Sequence, residues 1–142
     1  MQGMYGVARD LDLSFLEGCY LYEVGLGSFQ ANIRFDKPFE AGKEAGIQIR
    51  GKFSAFKTVN GSIIEHTADC APGLGNWTDD NHRALKSLMG LLGCDVCKVE
   101  ADSNRASIRL SFDEGTVVEI FDSNSPSYES FEVYNGQDRH II

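Results

Sequence analysis

Two stretches of this chain alternate between apolar and polar residues, and this alternation restricts the fold more than any other feature. The apolar positions are Phe29, Ala31, Ile33 and Phe35 in the first stretch, and Ala106, Ile108, Leu110 and Phe112 in the second. Because successive side chains of a strand point to opposite faces, each stretch predicts a strand with one buried face. Further strands are predicted at residues 19–24, 46–57, 95–102, 116–122, 128–134 and 139–142. The pairs Asn60-Gly61 and Asn135-Gly136 predict hairpin turns, so the chain is expected to be rich in strands.

One long helix is predicted at about residues 78–92. Thr78 is a suitable N-cap, and Asp79 and Asp80 would complement the helix dipole in the first turn. The apolar stripe of this helix consists of Ala84, Leu85, Leu88, Leu91 and Leu92. Gly93 is expected to end the helix, because glycine readily adopts the left-handed conformation that follows a last helical turn.

The order of predicted elements repeats in the two halves of the chain. Residues 16–19 precede a strand, a turn and an alternating strand, and residues 91–94 precede the same series. The fold class predicted from this order is α+β and strand-rich, with two pseudo-repeated helix–strand–strand–strand halves. The predicted repeat covers residues 12–57 and 84–134 of a single domain, 1–142, and a length of 142 residues suits one domain.

The net charge of −8 is concentrated in the second part of the chain. Residues 94–142 carry 10 acidic and 4 basic residues, a balance of −6. Such a chain would be repelled by nucleic acid and by anionic membranes, so neither is an expected partner. The acidic part instead favours a basic protein partner, since opposite charges steer association. The carboxylates predicted to contact that partner are Asp113, Glu114, Glu119, Asp122, Glu129 and Glu132.

The start of the chain indicates a compartment. Residues 1–12 lack the basic and apolar regions of a signal peptide, so a cytoplasmic location is expected. The chain has four cysteines, at Cys19, Cys70, Cys94 and Cys97. In the cytoplasm these side chains are expected to be free thiols rather than disulfides.

Cys94 and Cys97 form a CxxC pair, but a structural zinc site needs four ligands. Cys70 with His66 or His82 would complete the set only at a spacing that such sites do not use. A redox role is disfavoured because the pair follows a helix end, where the helix dipole opposes a thiolate. The sequence therefore predicts no metal, no cofactor and no catalytic residue.

Two other kinds of function stay open beside protein binding. A small-ligand-binding or self-associating module would hold a small molecule or form a homodimer without a second protein. An enzyme of unrecognised type would need a pocket in which histidine and carboxylate groups converge.

Short segments spread over most of the chain carry a family likeness. They are residues 4–7, 12–19, 29–36 and 47–53, then Ile108, Leu110, Phe112, Asp113 and Gly115, and finally residues 127–131. Together these segments resemble a family of small bacterial proteins of unknown function. Acidic proteins of this size are often immunity partners of bacterial toxins. By analogy, the resemblance implies a toxin-neutralising protein that covers a basic active site, and it identifies no site residue.

Overall fold

The structure is a computed structural model that describes residues 13–36, 45–71, 73, 77–102, 107–122, 131–135 and 138–141. These residues form ten β-strands, one α-helix and a 3₁₀ turn at Ser14–Leu16. The first five strands are β1 (Tyr20–Gly27), β2 (Gln30–Asp36), β3 (Ala45–Ile49), β4 (Lys52–Val59) and β5 (Ser62–Asp69). After α1 (Asp79–Met89) come β6 (Val96–Asp102), β7 (Ser107–Phe112), β8 (Val117–Phe121), β9 (Phe131–Asn135) and β10 (Asp138–Ile141).

The strands form two antiparallel sheets, and each sheet takes strands from both halves of the chain. The first sheet has the order β1–β2–β3–β9–β10, and the second has the order β5–β4–β8–β7–β6. Each sheet therefore combines three consecutive strands from one half with a hairpin from the other half. The chain crosses between the sheets at Arg50 and Gly51, so the single strand predicted at residues 46–57 is two strands in different sheets.

The alternating stretches of the sequence become β2 and β7, but Phe29, predicted on the buried face, precedes β2 and is 61% exposed, and Ala106 lies outside the described residues. In β2, Ala31, Ile33 and Phe35 are buried, while the polar residues between them are half-buried. The buried side chains of both sheets and of α1 belong to one hydrophobic cluster. Its largest fully buried members are Phe35, Phe53, Phe131, Leu16, Leu21, Ile33, Ile47, Ile49, Leu88, Leu91, Ile108 and Leu110. Burying one face of each sheet against the same core fixes the register of these strands.

The predicted α+β layout with two helix–strand–strand–strand halves is wrong. Among the described residues α1 is the single α-helix, and only the 3₁₀ turn at Ser14–Leu16 precedes β1. Three residues are too few to carry the costly nucleus of an α-helix. The fold is mostly β, and the internal repeat of residues 12–57 and 84–134 is not confirmed.

The α-helix itself lies inside the predicted range of 78–92. Its N-cap is Thr78, whose hydroxyl accepts a hydrogen bond from the Asn81 N–H at 3.3 Å. The helix ends at Met89, four residues before Gly93. Gly93, at φ +88°, instead turns the chain toward β6, and its N–H donates to the Leu21 carbonyl at 2.7 Å. No described helix is both long and apolar enough to cross a membrane.

The predicted turn between β4 and β5 is confirmed. Asn60 and Gly61 both have positive φ, at 51° and 81°, which a two-residue turn matched to the strand twist requires. The second predicted turn involves Asn135 and Gly136, and Gly136 lies outside the described residues.

Candidate functional site

The β4–β5 hairpin extends beyond the rest of the second sheet. β4 pairs with β8 only over residues 53–56, whereas it pairs with β5 up to the turn. We call the extension, residues 57–64, the hairpin ribbon. It exposes Val59, Ile63 and Ile64, whose exposed fractions are 40%, 71% and 48%. Val59 and Ile64 share one face of this short ribbon and Ile63 lies on the other, and exposed large aliphatic side chains of this kind mark interaction sites.

The two isoleucines of the ribbon point to opposite sides. Ile64 pairs with Lys57, while Ile63 pairs with Thr58 on the other face. Because strand side chains alternate, two adjacent isoleucines after a hairpin turn must place one on each face. This adjacent pair was the sequence signal from which an exposed ribbon could have been predicted, and the charge-based prediction missed it.

A groove lies between the hairpin ribbon, the end of α1 and the turn from β7 to β8. Its cavity volume is about 270 Å³. The larger apolar side chains in its lining are Phe56, Val59, Ile64 and Leu91, and the titratable ones are Lys57, His66 and Glu114. Sites for drug-sized ligands typically measure roughly 300–1,000 Å³, so this groove suits a single side chain better than a large ligand.

An ion pair forms one wall of the groove. The Lys57 Nζ lies 2.9 Å from the Glu114 Oε2, with 43% of the lysine and 32% of the glutamate side chain exposed. The other oxygen of Glu114 accepts a hydrogen bond from the Thr116 N–H. Burial alone would raise the pKa of Glu114, but the hydrogen bonds from Thr116 and Lys57 outweigh it and hold this pKa below its usual value. Glu114 is therefore a carboxylate at neutral pH.

A second charged contact ties α1 to β5 at the groove. The His66 Nδ1 lies 2.9 Å from Asp80 Oδ1, and the Thr67 N–H donates to Asp80 Oδ2 at 3.0 Å. Asp80 is in the first helical turn, so these bonds fix the start of the helix against the strand that carries His66. The bond from Thr67, followed by that from His66, lowers the pKa of Asp80. His66 and Glu114 are the convergent groups that the enzyme alternative requires, and each already has a partner.

Replacing Asp80 with asparagine is expected to lower stability at neutral pH but not in strong acid. The pKa of Asp80 is lowered in the folded state, so its stabilising contribution is present above the usual carboxyl pKa of about 3.9 and disappears as the pH falls through the lowered value. Urea unfolding of Asp80→Asn and wild type should therefore differ at pH 7, and the difference should begin to shrink below about pH 4 and vanish only below the lowered pKa. Asp79→Asn, one residue earlier in the same turn, is the matched control, and equal pH profiles for the two variants would contradict the expectation.

Two of the predicted contact carboxylates lie together near the groove. Glu114 lines it, and Asp113, in the same turn, is exposed. Asp113 Oδ1 accepts a hydrogen bond from the Asp95 N–H at 3.3 Å, which adds a third acid to this corner. We call Asp95, Asp113 and Glu114 the acidic corner. Burial, followed by the negative charges of these three carboxylates, raises the pKa of the Cys94 thiol, while the positive charge of Lys57 lowers that pKa.

The other predicted contact residues are spread over the molecule. Glu119 is only 2% exposed and accepts bonds from the Ser107 hydroxyl at 2.8 Å and Arg109 Nε at 3.1 Å, so a partner cannot reach it. Glu132 is on the first sheet, 3.7 Å from Arg50. Asp122 is half-buried next to the end of β8, and Glu129 lies outside the described residues. The predicted carboxylates thus do not form one continuous acidic face.

The cysteines occupy separate environments in the fold. Cys19 and Cys70 are buried, Cys94 is half-buried and Cys97 is exposed, all four as free thiols. Burial, with a smaller contribution from Asp69, raises the pKa of Cys70 to about 11, so this thiol is protonated at neutral pH. Within the described ranges, no three His, Cys, Asp or Glu side chains are grouped so that they could hold a metal ion.

Comparison with protein-family models, with curated proteins and with solved structures found no match to this chain. The resemblance to small bacterial proteins therefore stays a prediction. The hairpin ribbon, the groove and the acidic corner are the features from which a function can be inferred.

Proposed function

We propose that this chain is a protein–protein interaction domain that binds a basic partner through the hairpin ribbon and the groove beside it. The observation that carries the proposal is the exposure of Val59 and Ile64 on the groove side of a ribbon that extends past the sheet. These side chains gain burial only when a second surface covers them. Apolar anchors next to an open groove are the usual centre of an interface, with charged groups at its rim.

The charge around the groove favours a basic partner. The acidic corner lies on one side of it, and the whole chain has a net charge of −8. The carboxyl end of α1, through Gly90 and Leu91, also faces the groove and contributes the negative end of the helix dipole. Opposite charge on a partner would speed its association and fix its orientation. A toxin whose basic active site must be covered meets these requirements, and toxin neutralisation is the specific form of this function that we propose.

A second copy of this chain is the alternative partner. β5 is an edge strand of the second sheet, and its first four residues are exposed. Exposed strand edges can pair with one another, which would place the two ribbons side by side. A charge of −8 on each copy works against this arrangement, whereas it assists binding of a basic protein.

The proposal is tested by purifying the tagged protein from its native cell and weighing the intact assembly by native mass spectrometry. Wild type should carry a basic protein at fixed stoichiometry, and Ile64→Asp should lose it, with affinity reduced at least about tenfold as expected for a central anchor. Leu26→Asp is the matched control, because Leu26 is exposed to the same extent as Ile64, 49% against 48%, but lies on β1. A bare monomer, a homodimer, or equal binding by both variants would contradict the proposal.

A further inference from the structure

We infer that the groove receives one lysine or arginine side chain of the partner, which displaces Lys57 as the counter-ion of Glu114. This inference rests on the proposed function, because it names the chemistry that the partner brings to the same site. It follows from three observations. The groove has apolar walls, it has negative groups at one end, and Lys57 of the chain itself already forms an ion pair with Glu114 there.

The walls suit the hydrocarbon part of a long cationic side chain. Val59 and Ile64, on one face of the hairpin ribbon, and Leu91, just after α1, supply apolar lining to the groove. Lysine and arginine bury their methylene stems along apolar surface of this kind while their charged ends reach a polar rim. A cavity of about 270 Å³ leaves room for one such side chain.

The polar end of the groove suits a positive charge. Glu114 lines it as a carboxylate, and the adjacent residue Asp113 accepts a hydrogen bond from the Asp95 N–H at 3.3 Å. The carboxyl end of α1 adds its dipole at Gly90 and Leu91. The raised pKa of Cys94, to which all three carboxylates contribute after burial, supports a negative local potential. An anionic ligand would meet only Lys57 and His66, and both are already paired with carboxylates.

Lys57 shows how a cation is held there. Its Nζ lies 2.9 Å from Glu114, and its Cε lies 3.6 Å from the position that a Cβ on Gly115 would take, so the stem runs over the β7–β8 turn. With 43% and 32% of the two side chains exposed, the pair is accessible to solvent. Exposed pairs of this kind are weak and exchange readily with other partners. A partner's cation therefore competes with Lys57 for the same carboxylate.

The test is an NMR titration of the folded protein with two capped tripeptides, acetyl-Ala-Arg-Ala-amide and its citrulline counterpart, which has the same shape without the charge. The arginine peptide should cause saturable shifts at the amides of Lys57, Ile64, Leu91 and Glu114, and the citrulline peptide should bind roughly fivefold more weakly or not at all. Lys57→Met removes the internal competitor and should tighten arginine-peptide binding by roughly fivefold, while Glu114→Gln should weaken it by a similar factor.

Lys98→Met is the control for the charge change, because Lys98 forms a comparable exposed pair with Glu100 on β6, at 3.6 Å. It should leave peptide binding unchanged. Absence of shifts at the groove, equal binding of both peptides, or weaker binding by Lys57→Met would overturn the inference. The two proposals can fail separately. If Ile64→Asp loses the native partner but the peptide titration gives any of these contrary results, the proposed function stands and only the cation-binding role of the groove is removed.

Discussion

Glu119→Ala is expected to lower the free energy of unfolding by about 3 kcal/mol. Glu119 is 2% exposed, and its carboxylate accepts hydrogen bonds from the fully buried Ser107 hydroxyl and from Arg109. Removing the carboxylate leaves the buried Ser107 hydroxyl without this partner and without access to water, and an unsatisfied buried polar group costs about 1–3 kcal/mol. The side chain of Arg109 is 34% exposed and can reach solvent, whereas Ser107 cannot.

Urea unfolding measures this difference directly. Glu119→Gln keeps most of the hydrogen-bonding capacity and should fall between wild type and alanine. Glu100→Ala is the matched control, since Glu100 stands opposite Arg109 in the β6–β7 pair but has a 52% exposed side chain. That variant should change stability by no more than about 0.5 kcal/mol. Equal effects of Glu119→Ala and Glu100→Ala would mean that the carboxylate of Glu119 is not a buried partner.

The elements that could be predicted from the sequence are those fixed by local patterns. The alternation around Ile33 and Leu110, the cap at Thr78 and the turn at Asn60 and Gly61 each act over a few residues, and each appears in the fold. Such features depend on backbone conformation and on which face is buried, so neighbouring residues carry the information.

The arrangement of the strands could not be predicted in the same way. The pairing of β3 with β9 joins residues such as Ile47 and Val133, which are far apart in the chain. The break between β3 and β4 at Arg50 and Gly51 is set by the crossing between sheets, which leaves the apolar alternation of residues 46–57 largely undisturbed. Similar element order in the two halves suggested a repeat within one domain, and it did not reveal that each sheet takes strands from both halves.

The candidate site could be predicted only in part from the sequence, for a related reason. Counting carboxylates selected Glu114, which lines the groove, and its neighbour Asp113, but also Glu119, which is buried. Strand parity places Glu119 on the face opposite Val118 and Ile120, and parity does not reveal whether that outer face is covered. The groove depends on how the end of α1 meets the ribbon, which is a tertiary property. The exposed pair of Ile63 and Ile64 is the one part of the site with a local signal.

Gly46→Ala is expected to destabilise the fold by about 3 kcal/mol, the upper part of the range for overpacking. A Cβ on Gly46 would lie 2.5 Å from the backbone oxygen of Ile33 and 2.5 Å from the hydroxyl oxygen of Tyr134. Gly46 stands between Arg34 of β2 and Tyr134 of β9, and the tyrosine ring lies across β3 where no side chain projects. Because a backbone oxygen in the middle of a sheet cannot move alone, the strands must separate to admit the methyl group.

Chemical unfolding of Gly46→Ala and Gly25→Ala distinguishes the cost of the steric contact at position 46 from the general effect of replacing a glycine in a strand. Gly25 also lies in the first sheet, but a Cβ there would meet only the Asn32 Cβ at 3.9 Å, so its replacement should be neutral or slightly stabilising. Gly46→Ala should cost less free energy of unfolding when it is added to Tyr134→Ala than when it is added to wild type. The tyrosine replacement removes the contact with the ring and leaves the one with Ile33. If Gly46→Ala and Gly25→Ala had equal stabilities, or if the Tyr134 replacement showed no coupling to position 46, the ring would not pack across β3 as described.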